Sequence, residues 1–451
     1  MILFLAWPFA DGRPARLPEG NRRDSDFSLG LVARLLIGLI VWTVATAGCT
    51  SEKGETSSPA ITVIAKWGED SEEGHRFGLV LNAFEDRTGI SVNYIGAGNE
   101  LPLVLSTRVA SGNPPDIAVL PQPGLLKDLA MQEILSPLTD TILTRLERSF
   151  ARVWIDLASY ENVPYGVFFK ASNKSTVWYD PEFFSKNGLN PPSTWDEWIA
   201  LSTELSDEGI VPLAVGAADG WVLSDWFENV YVRTAGPTMY DQLTLHEIPW
   251  THSSVKKALR TLGKLLTGEG HLLEGPDGAL RTTFVESVQQ VFSEEASATM
   301  IYEGDFVPGI VAKETTSSIS PEFFEFPSID GSAPVVVGGG DVAVAFNELA
   351  ETMAFLEFLA EPTSAEIWAA FGGFTSPNRD VDPSVYPNEA SRKSAASLAK
   401  AEIFRFDLSD LVSSCFGATA GVGIWGGLQE WLSHPEDIDR ITNRLEQDAS
   451  C

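Results

Sequence analysis

The apolar positions of the chain switch repeatedly between a period of two and a period near three and a half. Ile61-Thr-Val-Ile-Ala is a short branched run that predicts a strand. After Glu72-Glu73-Gly74, the residues Phe77, Val80, Leu81 and Phe84 recur at helical spacing, and Gly89 stops the expected helix. Ile90–Ile95 alternates as a second strand. Leu101, Leu105 and Val109 mark a second helix that ends near Gly112-Asn113-Pro114-Pro115, and Asp116–Leu120 is a third strand. This β-α-β-α-β order predicts a parallel sheet covered by helices, with ligands bound beyond the carboxyl ends of its strands. Those ends are Trp67-Gly68-Glu69, Gly96–Glu100 and Pro121-Gln122-Pro123.

A second α/β pattern follows Tyr165-Gly166. Thr176–Tyr179 and Val211–Val215 read as strands. Trp195 opens a helix with Ser193 or Thr194 as its cap, and a further helix starts at Gly220-Trp221 and runs through Trp226 and Val230. Val335–Ala345, interrupted by Gly338-Gly339-Gly340-Asp341, predicts a strand pair or one bulged strand. Met353–Leu359 predicts a helix with one apolar face. Two such patterns in 451 residues imply two domains.

Ahead of these lies an export signal. Residues 35–48, LLIGLIVWTVATAG, are uncharged and too short for a membrane span of about 20 residues. Arg22, Arg23 and Arg34 supply the basic flank. Residues 1–48 are therefore expected to be a signal peptide, with an atypically long leader. Small residues before Cys49 resemble a lipobox, which implies lipidation of Cys49, although Thr46 stands where leucine is usual. Cleavage near Ala45–Gly48 and an uncleaved anchor are the alternatives. Residues 49–59 are polar and read as a tether.

Charge narrows the function. Lys and Arg number 31 against 62 Asp and Glu, a net charge of −31. A field of that sign argues against nucleic acid and anionic lipid surfaces, and for a soluble monomer. The three cysteines are Cys49, Cys415 and Cys451, so there is no CxxC and no metal cluster by spacing. Cys415 and Cys451 can pair in an oxidising compartment or stand as two separate thiols. Neither GxSxG nor HExxH occurs, and no cofactor motif is present.

Aromatic residues and acids sit together in several predicted loops: Trp67 with Glu69, Trp221 with Asp225, and Glu303 with Phe306. Aromatic faces suit the C–H surfaces of a sugar, and carboxylates suit its hydroxyls. Asp341 follows three glycines, where a backbone can approach a ligand closely. Glu73 can instead serve the dipole of its helix, and Trp195 and Trp226 are expected to pack rather than to bind.

The ordered blocks Ala83-Phe84-Glu85-Asp86-Arg87-Thr88-Gly89, Gly112–Ala118, Val163–Gly166, Trp178–Pro181, Pro192–Glu197 and Gly338–Asp341 resemble the solute-binding proteins of carbohydrate ABC importers. Leu120–Gly124, Gly166–Lys170 and Arg405–Asp410 are most similar to the α-glucoside-binding type, while Leu411–Phe416 departs from it. The resemblance spans about residues 60–445. It implies the two-lobed periplasmic-binding-protein (Venus-flytrap) fold, with lobe I at 60–168 plus 325–376 and lobe II at 169–324 plus 377–451. It also implies a non-enzymatic receptor outside the membrane, which hands an oligosaccharide to ABC permease subunits. The ligand positions it implies are Glu73, Gln122, Trp221, Glu303, Phe306 and Asp341, with Phe406, Asp407 and Asp410 from the last block. A secreted glycoside hydrolase and an extracellular sugar sensor are the rival readings.

Overall fold

The computed structural model describes residues 59–315, 319–417 and 419–451. The signal peptide, Cys49 and nearly all of the tether lie outside the described residues.

The helix Glu72–Thr88 shows how local chemistry sets the elements. The Ser71 hydroxyl accepts from the Gly74 amide at 2.9 Å and caps the first turn. Phe77, Val80, Leu81 and Phe84 form the buried face, and Gly89 at φ 72° ends the helix in a conformation that costs glycine little. Thr194 and Glu197 close a reciprocal capping box on the helix Trp195–Asp207. The strand expected at Val211–Val215 shrinks to Leu213–Ala214. Pro212 has no amide hydrogen to offer a ladder, and its carbonyl goes to Met300.

Two sheets organise the chain. In the first, Ala60–Ala65 pairs in parallel with both Ser91–Gly96 and Ile117–Leu120. Val336–Ala345 adds on the far side of Ile117–Leu120 as a single irregular strand, with a register shift between Asp341 and Val342. Its first residues pair with Phe404–Phe406. The second sheet orders Glu322–Glu325, Thr176–Tyr179, Met300–Tyr302 and Leu213–Ala214.

Each sheet has its own core. One gathers Val63, Ile64, Phe77, Phe84, Val119, Phe355 and Trp368, and reaches on to Val381 and Tyr386. The other gathers Trp178, Trp198, Trp226, Tyr240, Trp250, Leu259 and Trp431. Trp198 stacks on Trp226 with centroids 5.4 Å apart, and Trp195 stacks on Phe326 at 5.8 Å, so both tryptophans pack internally as their helical spacing implied.

The chain is a two-lobed α/β protein, and it passes between the sheets three times. Gly166–Asn173, buried throughout, leads directly to Thr176–Tyr179 of the second sheet. The return runs from Glu322–Glu325 to Val336–Ala345, antiparallel to the first crossing from Gly166–Val344 to Asn173–Gly338. Phe404–Phe406 then leads into the short helix Leu408–Leu411. The three crossings deliver lysines and acids to the seam between the lobes.

Candidate functional site

Lys170 and Asp341 face each other in register on the two long crossing strands. Both side chains are almost fully buried. Glu73, in the first turn of Glu72–Thr88, accepts a hydrogen bond from the Lys170 ammonium. Lys66 Nζ lies 3.2 Å from Asp341 Oδ1. Burial alone would raise the Glu73 carboxyl, but Lys170 and Lys66 together hold it below the ordinary range. Burial likewise opposes charge on Lys66, and Asp341 and Glu73 outweigh it and hold the ammonium above its usual value.

A second cluster forms around Lys174, just past the crossing. Its Nζ is 3.1 Å from Asp225 Oδ1 and 3.8 Å from Asp410 Oδ2, and it donates to Asp407 Oδ2. Asp407 is the N-cap of Leu408–Leu411. Its Oδ1 accepts from the Ser409 hydroxyl at 2.7 Å and from the Asp410 amide at 3.0 Å. The same helix start is gripped from behind by Glu228, which accepts from the Leu408 and Ser409 amides at 2.7 and 3.0 Å and from the Tyr240 hydroxyl at 2.9 Å.

One lysine cannot neutralise every acid here. Burial pushes Asp225 well up, and the charges of Asp407 and Glu303 add to it. Burial and Asp407 do the same to Asp410, and burial raises Glu303 and Glu228. Burial opposes ionisation of Asp407 as well, but Lys174 and its hydrogen bonds hold that carboxyl below the usual range. Burial and crowding thus favour the protonated form of Asp225, Glu303 and Asp410, and Lys174 favours the ionised form of Asp407. Such a set can donate to hydroxyls as well as accept from them.

The remaining wall is aromatic. Trp221, Phe284 and Phe306 form a triangle with centroids 5.2, 5.5 and 6.1 Å apart. Trp221 and Phe306 are only half-buried. Lys170 Nζ stands 5.7 Å from the Phe306 centroid, and Lys174 Nζ stands 5.9 Å from that of Trp221. A Cβ on Gly304 would sit 2.4 Å from Phe306, so this glycine is what lets the ring seat. Gln122 Oε1 and Glu303 Oε1 are buried without a hydrogen-bond partner.

The structure thus gathers Glu73, Asp341, Trp221, Glu303, Phe306, Asp407 and Asp410 around two lysine-centred clusters. Gln122 stands at the N-terminus of Pro123–Met131. Phe406 does not join them. Its ring is buried against Phe168 and Trp154, at 5.8 and 6.3 Å, because alternation along the strand turns it to the core and leaves Asp407 facing the seam. The three glycines before Asp341 lie where the crossing strands pack closely. A Cβ on Gly339 would lie 2.9 Å from Lys174 Cε, and one on Gly340 would lie 2.7 Å from the Lys170 carbonyl. Asp407 and Asp410 do not share a helical face, since Asp407 is the cap and lies outside the helix.

Sequence reasoning missed Lys66, Lys170, Lys174 and Glu228 as site residues. A signal existed for Glu228: Asp225, Glu228 and Asn229 put three polar residues within one turn amid the apolar residues Trp226, Phe227, Val230 and Val232. Cys415 and Cys451 are joined as a disulfide, with Cα atoms 6.3 Å apart. Among the described residues no helix is long and apolar enough to cross a membrane.

Comparison with known proteins completes the picture. The family model described as bacterial extracellular solute-binding protein matches residues 72–366. The osmoprotective compounds-binding protein GgtB of Synechocystis is 33% identical over 425 residues, covering 92% of this chain and 98% of that protein. The alpha-glucosides-binding periplasmic protein AglE of Rhizobium meliloti is 31% identical over 403 residues, with 86% and 85% covered. Among solved structures, the bacterial solute receptor AcbH aligns with a TM-score of 0.77 at 20% identity, over 87% of this chain and 99% of that one. Maltose-bound MalE3 of T. maritima aligns at 0.69 and 15% identity, over 87% and 99%.

Proposed function

The chain belongs to the family of bacterial extracellular solute-binding proteins, and on that premise we propose that it captures an α-glucoside between its lobes for delivery to an ABC permease. The observation that carries this reading is the meeting of half-buried Trp221 and Phe306 with the buried carboxyls of Asp225, Glu303 and Asp410 on the seam. A ring face suits the C–H surface of a pyranose. Buried carboxyls and amides suit its hydroxyls, and they bind more strongly where water is excluded. Glu73, Gln122, Trp221, Glu303, Phe306, Asp341, Asp407 and Asp410 are the proposed contacts, with Asp225 added. Ligand contacts to both lobes would favour the closed arrangement that a permease recognises.

The AglE relative supports the α-glucoside class. A second reading, favoured by the name of the GgtB relative, is a small osmolyte glucoside rather than a longer oligosaccharide. The protein would work outside the membrane as a monomer, tethered by lipid at Cys49. The relatives are binding receptors, which supports a non-enzymatic role over glycoside hydrolysis.

A thermal-shift screen tests this, with sucrose, trehalose, maltose, maltotriose and glucosylglycerol set against β-linked cellobiose. The melting temperature should rise with the logarithm of ligand concentration for α-glucosides alone. A response confined to glucosylglycerol selects the osmolyte reading. Equal silence to every sugar would defeat the proposal.

A further inference from the structure

The segment that departs from the family pattern, Leu411–Phe416, connects three features that are otherwise separate. It follows directly on Asp407 and Asp410 of the candidate site. Its next residues then touch the opposite lobe. The Val412 carbonyl lies where a side chain on Gly124 would be, 1.9 Å from an added Cβ, so the two backbones are in close contact. Beyond that, the Ser413 hydroxyl, the Ser414 amide and the Ser414 hydroxyl all converge on Asp128 Oδ2, each at 3.2 Å. Asp128 belongs to the helix Pro123–Met131, whose N-terminus carries Gln122.

Leu411 and Val412 are partly buried against the two cores and Phe416 is buried against Trp250, while Ser413, Cys415 and Thr419 are exposed. One flank borders a cavity of about 820 Å³ lined by Leu105, Leu125, Leu129, Ser413 and Cys415. It also has a covalent fixed point. Cys415 is bonded to Cys451, which follows the helix Ile438–Asp448, and that helix is seated on the second core through Ile441 and Leu445. Both cysteines are exposed, so the bond adds restraint and not buried apolar area.

We propose that the Cys415–Cys451 disulfide is a positioning element of the ligand site. It holds Leu411–Phe416 against Asp128 and thereby fixes Asp407 and Asp410. Its effect on affinity rests on the α-glucoside reading, whereas its effect on the loop does not. A rigid loop loses less freedom when ligand and lobes meet, so the gain falls on the lifetime of the complex.

The test uses the C415S/C451S double variant and two measurements. Native-state hydrogen exchange should show the Ser409 and Asp410 amides losing protection by about tenfold relative to strand Ala60–Ala65. Binding of the most effective glucoside from the screen should weaken by about tenfold through koff, with kon nearly unchanged. A disulfide that acts only on the unfolded chain would lower Tm and move neither readout, and that result overturns the proposal. If protection is lost while the parent protein binds no sugar, the proposed function falls and the positioning role stands. Should the double variant not fold, Asp128→Ala removes the acceptor and leaves the bond. Its koff should rise, and an unchanged koff together with unchanged Ser409 exchange refutes the latch.

Discussion

Replacing Lys174 with methionine removes the one cation that reaches Asp225, Asp407 and Asp410 together. The ionised partner is Asp407, and a close pair of full charges attracts by about 4 kcal/mol with an effective dielectric near 20. Much of that offsets desolvation in the parent protein. The variant keeps the desolvated acids and loses their partner, and breaking a buried pair in this way costs about 3–5 kcal/mol. Asp407 should suffer most, because Lys174 is what keeps its carboxyl ionised below the ordinary range. In the variant its folded-state pKa rises above the unfolded value. The deficit is then greatest at neutral pH and shrinks as Asp407 takes up a proton. Urea unfolding at pH 7.5 and pH 5 measures both. A loss of under 1 kcal/mol at pH 7.5, or one equal at the two pH values, would refute the reasoning.

The parent protein carries a related pH signature. Asp225, Glu228, Glu303 and Asp410 have folded pKa values raised by burial, so their contribution is complete below the unfolded values and declines as pH rises through the folded ones. Glu73 and Asp407 are shifted down and keep their contribution throughout that window. Tm should therefore climb between pH 7.5 and pH 5, and differential scanning calorimetry showing a steady fall would contradict this. Trp226→Ala empties the space between Trp198, Tyr302 and Phe326 and should cost about 3–5 kcal/mol in urea, where a cost under 1 kcal/mol would mean the core is misassigned. Gly124→Ala forces a methyl group onto the Val412 carbonyl, so sugar affinity should fall roughly tenfold while Tm moves little. Calorimetric titration giving parental affinity would show that the lobes need not meet there.

How far the sequence reached depends on distance along the chain. Period and punctuation are local, and they placed the helix Glu72–Thr88 with its Gly89 stop, the parallel strands around Ala60–Ala65, and Trp226 in the core. Some of the candidate acids and rings were legible as aromatic–acid pairs in predicted loops, and the others only through a resemblance in ordered blocks. The lysines were not legible, because a buried lysine in a strand has meaning only once its partner is known. Glu73 is 97 residues from Lys170, and Asp407 is 233 from Lys174. Phe406 packs in the core while its neighbour Asp407 faces the seam, a difference of one residue that the ordered blocks did not resolve.

The central claim is that the seam binds a sugar and releases it unchanged. Isothermal titration of the parent protein with the α-glucoside that gives the largest thermal shift, followed by chromatography of the recovered sugar, tests both halves. The account predicts one site per chain and intact ligand after prolonged incubation, with binding lost when Trp221 is replaced by alanine. Heat-silent titration with every α-glucoside, or the appearance of cleaved sugar, would contradict it.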